Sequence, residues 1–216
     1  MLSFTFGPTD LTALASGALL WPAENLLCVS DLHLGKSERL ARRGGSLLPP
    51  YETRATLEKL DLDLERTGAR RVICLGDSFD DLAAAEGLDE EARLWLTRLI
   101  AGRDWTWIEG NHDPGPVNLG GAHRAETVLG PLIFRHEGGG LGLEVSGHYH
   151  PKASLAGRGA WPCFLIGKSR LILPAYGAYT GGLRAEDPLF DALIGPGARA
   201  VLTGPTPLLI PRPRRS

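Results

Sequence analysis

Apolar positions fall along the chain in two textures. In the first half, short apolar runs alternate with longer stretches whose leucines recur at helical spacing. Ser3–Gly7 reads as a short edge strand and Asn25–Ser30 as a buried one. Tyr51–Thr67 predicts a helix, with Leu57, Leu60 and Leu64 at helical spacing, many charges between them, and Pro49-Pro50 ahead as a start signal. Arg71–Leu75 is a second buried strand. Asp89–Ala101 is an amphipathic helix with Leu94, Leu96, Leu99 and Ile100 among its apolar positions, and Trp105–Ile108 is a third strand. This strand–helix order predicts a parallel sheet joined by crossover helices.

Beyond Asn111 the helical spacing disappears. Short β-rich runs follow at Glu126–Val128, Leu132–His136, Leu143–Ser146, Pro162–Ile166, Leu171–Leu173, Ala200–Thr203 and Pro207–Ile210, separated by Gly and Pro turns. These predict a second layer of strands packed on the first, hence an α/β fold built as a two-layer β-sandwich flanked by helices. No internal repeat or second domain is legible. The reading is one domain over residues 1–211, then a basic tail over 212–216 in which Arg212, Arg214 and Arg215 are either solvated or form a phosphate-contacting arm.

Composition narrows the class. The 216 residues suit one sizeable core, and 43% hydrophobic with 22% charged residues is ordinary for a soluble globular protein. A formal net charge of −2 gives no overall basic field for coating nucleic acid. No apolar run is long enough to cross a bilayer and no leader is legible, so the expected location is cytoplasmic, with no membrane partner. Cys28, Cys74 and Cys163 lie singly in apolar runs, as buried reduced thiols do. Any metal must therefore be held by nitrogen and oxygen.

Each of the first three buried strands runs into a cluster of such ligands. Asp31-Leu-His33 follows one, Gly76-Asp77-Ser-Phe-Asp80 the next, and Gly110-Asn111-His112-Asp113 the third. In open parallel sheets, ligand sites form beyond the carboxyl ends of the strands, so these clusters converge. Residues two apart in an extended chain point to one side, which would aim Asp31 and His33 at one cation, and likewise His148 and His150. Taken alone, each cluster could be a turn or a strand cap. Five of the six histidines nevertheless lie in these clusters or at a strand end, and only His123 does not.

The ordered series Asp31-x-His33, Gly76-Asp77-x-x-Asp80, Gly110-Asn111-His112-Asp113, His136 and Gly147-His148-x-His150 resembles the signature of the calcineurin-like metallophosphoesterases. The resemblance implies their two-sheet sandwich and two divalent metal ions, manganese by default, with iron or zinc compatible with the same donors. It places Asp31, His33, Asp77 and His150 on the first metal. Asp77 would bridge to the second, completed by Asn111, His136 and His148. A water activated between the metals would be the nucleophile. His112 would stabilise the transition state and protonate the leaving oxygen, and Asp80 would orient it and favour its charged form.

Trp21-Pro22 through Arg39, and Pro174-Ala-Tyr-Gly-Ala-Tyr-Thr-Gly-Gly182, resemble a smaller bacterial group, the ligase-associated DNA damage response endonucleases termed PdeM. That implies a DNA phosphodiesterase working beside a DNA ligase and a helicase in repair. Lys36, Arg39, Arg42 and Arg43 either hold flanking phosphates or form a solvated helix face. Tyr149, Tyr176 and Tyr179 either stack on bases or pack within the sandwich. Gly167-Lys168-Ser169 is not a phosphate loop, because Pro162 stands where a glycine is required, and reads as a hairpin turn. Two alternatives stay open. The metal ligands do not separate a DNA phosphodiesterase from a small-molecule or cyclic-nucleotide phosphoesterase. A non-catalytic scaffold on this fold is the other, disfavoured because every ligand position and His112 are filled. Oligomeric state is not legible.

Overall fold

In the computed structural model, residues 1–37, 39, 51–155 and 159–214 are described. The first sheet has the order β1-β2-β3-β4-β5-β6-β7. Its strands are β1 (Leu2–Phe6), β2 (Thr9–Ala13), β3 (Leu19–Trp21), β4 (Leu26–Val29), β5 (Arg71–Leu75), β6 (Asp104–Ile108) and β7 (Ala122–Arg124). The first four pair antiparallel; β4 through β7 are parallel. Helix α1 (Glu52–Thr67) lies between β4 and β5 in the chain, and α2 (Leu82–Glu86) and α3 (Glu90–Ile100) between β5 and β6.

The second sheet contains β8 (Glu126–Leu129), β9 (Leu132–Arg135), β10 (Leu143–Ser146), β12 (Ala160–Ile166), β13 (Arg170–Ile172), β14 (Arg199–Leu202) and β15 (Leu208–Pro211), in the order β15-β14-β12-β13-β10-β9-β8. β11 (Lys152–Ser154) pairs with β12 beside that path. The expected sandwich is present, with mixed rather than wholly parallel sheets. The Gly167-Lys168-Ser169 turn closes the β12–β13 hairpin, Gly167 N–H donating to the Arg170 carbonyl at 2.8 Å.

Strand periodicity explains the layering. On β4, Leu26 and Cys28 enter a core shared with Phe134, Val145, Phe164 and Val201 of the opposing sheet. Leu27 and Val29 face the other way, against Leu57, Leu60 and Leu64 of α1 and Leu96 and Leu99 of α3. β4 is therefore buried on both faces, which is why its residues read as a continuous apolar run. A third cluster joins Leu165, Ile172 and Leu202 to Phe190 and Ile194 of α4 (Leu189–Ile194). Cys28, Cys74 and Cys163 are free and buried, and burial pushes their thiols up.

Helix ends follow local chemistry. Asp89 caps α3 by accepting the Ala92 N–H at 2.7 Å, and α1 ends at left-handed Gly68, whose N–H returns to the Leu64 carbonyl. Two expectations need correction. Leu94 is exposed; Ala92, Leu96, Leu99 and Ile100 form the buried face of α3. Arg212 is not part of a solvated tail: its guanidinium donates to the Ala185 carbonyl at 2.8 Å and pairs with Asp191 at 2.7 Å, so a buried arginine ties the chain end to α4. Arg42, Arg43, Pro49, Pro50 and Arg215 lie outside the described residues. Among the described residues, no helix is long and apolar enough to cross a membrane.

Candidate metal centre

The parallel pairing of β4 and β5 continues past the strand ends and builds the first two loops of the site. Asp31 N–H donates to the Gly76 carbonyl, His33 N–H to Asp77 at 2.9 Å, and Leu34 N–H to Ser78 at 2.9 Å. Asp80 N–H returns to the Leu34 carbonyl, and Leu34 and Phe79 anchor this extension as fully buried side chains. The loop after β6 is tied in by Asp113. One of its carboxylate oxygens accepts from Asp77 N–H at 2.9 Å and Gly110 N–H at 3.1 Å, the other from Ser78 N–H at 2.7 Å and Phe79 N–H at 3.1 Å. Burial, helped by the charge of Asp77, pushes the Asp113 carboxyl up to about 6 despite these donors. Asp113 stood in the third motif without a role. Its signal in the sequence was only an acid in a polar turn, and three of its four partners sit 34 to 36 residues away.

Two ligand clusters result, and a third grouping of His33, Asp80 and His112 shares His33 with the first. In the first, His150 Nε2 lies 3.2 Å from Asp31 Oδ1 and 3.4 Å from His33 Nε2. In the second, His136 Nε2 lies 2.9 Å from Asn111 Oδ1, 3.1 Å from His148 Nδ1 and 3.5 Å from Asp77 Oδ2. Their proximity is set by His136 Nδ1, 3.9 Å from Asp31 Oδ1. The three loops and two later turns thus bring together Asp31, His33, Asp77, Asn111, His136, His148 and His150.

The backbone reaches this arrangement differently from the extended geometry expected. Asp31, His33, Asp77, His148 and His150 all have positive φ, between 45° and 71°. A side chain in the left-handed region costs about 1–2 kcal/mol, and such strain concentrates where function needs it. Asp31 and His33 still meet in one cluster. His148 and His150 do not: left-handed turns at both send His150 to Asp31 and His148 to Asp77 and His136.

The electrostatics fit a cation. Burial alone would raise the Asp31 carboxyl, but the hydrogen bond and charge of His150, with His136 and Ser30, hold it below the usual carboxylate range. Burial likewise opposes ionisation of Asp77, yet His136 and the His112 N–H lower it to about 2. The same two carboxylates overcome burial at His136 and push its imidazole up to about 9. Burial and the neighbouring His136 charge lower His148. His136 Nδ1–H donates to the Leu75 carbonyl at 2.8 Å, leaving Nε2 aimed into the cluster as a ligand nitrogen. His33 Nδ1 approaches Asp80 Oδ1 to 2.9 Å but has no partner in hydrogen-bond geometry. Crowded ring nitrogens facing ionised carboxylates, with no thiolate among them, form a donor set that divalent metals satisfy.

His112 stands at the edge of the first cluster, its ring 5.3 Å from that of His33. Its Nδ1–H donates to the main-chain carbonyl of Asp80 at 2.9 Å. The Asp80 carboxylate meets His33 Nδ1 and Arg39 Nη1, each at 2.9 Å, and also lies within 4.8 Å of a His112 ring nitrogen. Arg39, expected either to hold a flanking phosphate or to lie on a solvated helix face, turns inward and also donates to the Asp80 carbonyl at 2.9 Å. Lys36 reaches across to the Tyr179 carbonyl at 3.2 Å.

A two-sheet sandwich carrying these ligands at its strand ends has the calcineurin-like metallophosphoesterase fold. No family profile and no curated protein matches the chain. Among solved structures, the Pseudomonas putida nuclease MPE superposes with a TM-score of 0.77 at 32% identity, covering 96% of this chain and 99% of that one. The chain belongs to the family of that nuclease.

Proposed function

We propose that the protein is a two-metal phosphodiesterase that cleaves DNA, with manganese as its preferred cation. The observation that carries this reading is the pair of adjacent histidine–carboxylate clusters, one of Asp31, His33 and His150 and one of Asp77, His136 and His148, with the His112 ring 5.3 Å from that of His33. Asp31, His33 and His150 would hold one ion, Asn111, His136 and His148 the other, with Asp77 shared. Bound there, two divalent ions would make water nucleophilic at neutral pH and neutralise charge on the phosphate.

The chain's own groups do the rest. With Nδ1–H committed to the Asp80 carbonyl, His112 presents Nε2 to the substrate, placed to protonate the departing oxygen. Arg39 braces the Asp80 turn through both carboxylate and carbonyl and so fixes the direction of that imidazole. The family relationship to a nuclease supports a polynucleotide substrate. The PdeM-like stretches extend the reading to repair beside a ligase and a helicase, which co-purification tests.

The decisive comparison uses manganese-loaded protein with end-labelled single- and double-stranded DNA, a chromogenic diester, its monoester and a cyclic nucleotide. Internal DNA cleavage that disappears with chelator is expected. Turnover of the monoester or cyclic nucleotide with DNA left intact would replace the reading by a small-molecule phosphoesterase.

A further inference from the structure

The three tyrosines that could meet a base have different fates. Tyr176 is fully buried, its hydroxyl donating to Asp63 at 2.9 Å. Tyr149 packs edge-on against His148 and Phe190 and donates to Glu137 at 3.0 Å. Tyr179 is 56% exposed, and among the described residues its ring and hydroxyl have no partner. Its backbone is also left-handed, with φ of 55°. A large aromatic here contributes little to the fold and carries the cost of that conformation.

The segment bearing Tyr179 lies across the main chain of the first ligand cluster. Gly177 N–H donates to the Asp31 carbonyl at 3.0 Å. At the other end, a Cβ on Gly182 would come within 2.0 Å of the His150 carbonyl oxygen. Between these anchors, Lys36 donates to the Tyr179 carbonyl at 3.2 Å and Lys152 to the Thr180 carbonyl at 2.8 Å. Tyr179 therefore stands three residues or fewer from carbonyl contacts to two candidate ligands, between two ammonium groups. Each ammonium has three protons, so donation to a carbonyl leaves others for phosphate oxygens.

From this juxtaposition we infer that Tyr179 is a specificity-determining residue: its ring stacks on an unpaired nucleobase next to the scissile phosphate, while Lys36 and Lys152 contact the flanking backbone. The inference rests on the proposed DNA phosphodiesterase activity. An aromatic face serves every base, so the selection is for a base free to stack and not for sequence.

The test compares kcat/KM on a single-stranded oligonucleotide and on the same strand carrying abasic positions around the cleaved bond. Manganese-loaded wild type, Tyr179→Ala and Tyr179→Phe are measured in parallel. The preference for the base-bearing strand should fall about 5- to 100-fold in Tyr179→Ala, mainly through KM, and persist in Tyr179→Phe, which keeps the π-face. An unaltered preference in Tyr179→Ala, or equal loss on both strands, overturns the assignment while leaving the DNA activity standing. Wild type that cleaves neither strand overturns the DNA reading and this inference with it.

Discussion

Replacing Gly76 by alanine isolates one crowded point beneath the candidate metal centre. Gly76 has φ of 72°, and a Cβ there would lie 2.5 Å from Nδ1, 2.6 Å from Cγ and 2.8 Å from Cβ of His136. That ring cannot swing away freely, because Nδ1–H is held by the Leu75 carbonyl at 2.8 Å and Nε2 belongs to the second cluster. Gly68, the cap of α1, has a similar φ of 63° but nothing within 4 Å of the added carbon. Gly68→Ala therefore measures backbone strain alone, about 1 kcal/mol. Gly76→Ala adds overpacking of about 1–3 kcal/mol, for a total of roughly 2–4 kcal/mol. Because the overlap displaces His136, affinity for a metal held by the second cluster should also fall by about 10- to 100-fold, as when a ligand's support is lost. Urea unfolding in chelator gives the stability difference, and a manganese isotherm gives the affinity. Equal destabilisation by the two alanines with unchanged metal binding would refute the placement of His136 against Gly76.

Three further expectations follow from the same geometry. Manganese at about 100 times its dissociation constant should stabilise the protein by about 2.7 kcal/mol per site, and Asp77→Asn should abolish most of that gain in a thermal scan; an identical gain in Asp77→Asn argues against Asp77 as a ligand. His112→Ala should keep metal binding by calorimetry while kcat falls about 10²- to 10⁴-fold, and unchanged turnover removes it as the proton donor. Burial, outweighing the nearby Asp63 carboxylate, lowers the Lys59 ammonium to about 8. Its folded pKa is depressed, so the unfolded chain binds more protons between about 8 and 10.5 and stability from this group rises with pH across that window. Wild-type stability minus that of Lys59→Met should therefore grow by about 2–3 kcal/mol between pH 7 and 10.5, with opposing cysteine titration cancelling in the difference. A flat difference across that window sinks the assignment.

The parallel core of the first sheet was legible because its strands are buried on both faces and so stand out as unbroken apolar runs between helical stretches. β2, β3 and β7 were not, being short and lacking clear alternation, although β3 pairs along β4 and β7 along β6. The clustering of ligand residues after three successive strands was equally plain, since parallel strands must deliver their carboxyl ends to one side of a sheet.

The sequence by itself determined the ligand types, their order along the chain and the strand ends that present them, because those depend on local pattern. Residue spacing did not decide which ligands share a cluster; before the fold, that grouping came only from the family resemblance. Left-handed backbone at Asp31, His33, Asp77, His148 and His150 redirects side chains in ways that spacing does not encode. Contacts from distant segments decided the supporting cast: the Asp80 carbonyl on His112, Arg39 turned inward, Asp113 binding two loops together, and Arg212 drawn from an expected tail into the fold. A hydrogen bond between residues dozens of positions apart leaves no periodic trace, so it becomes visible only once the chain has folded.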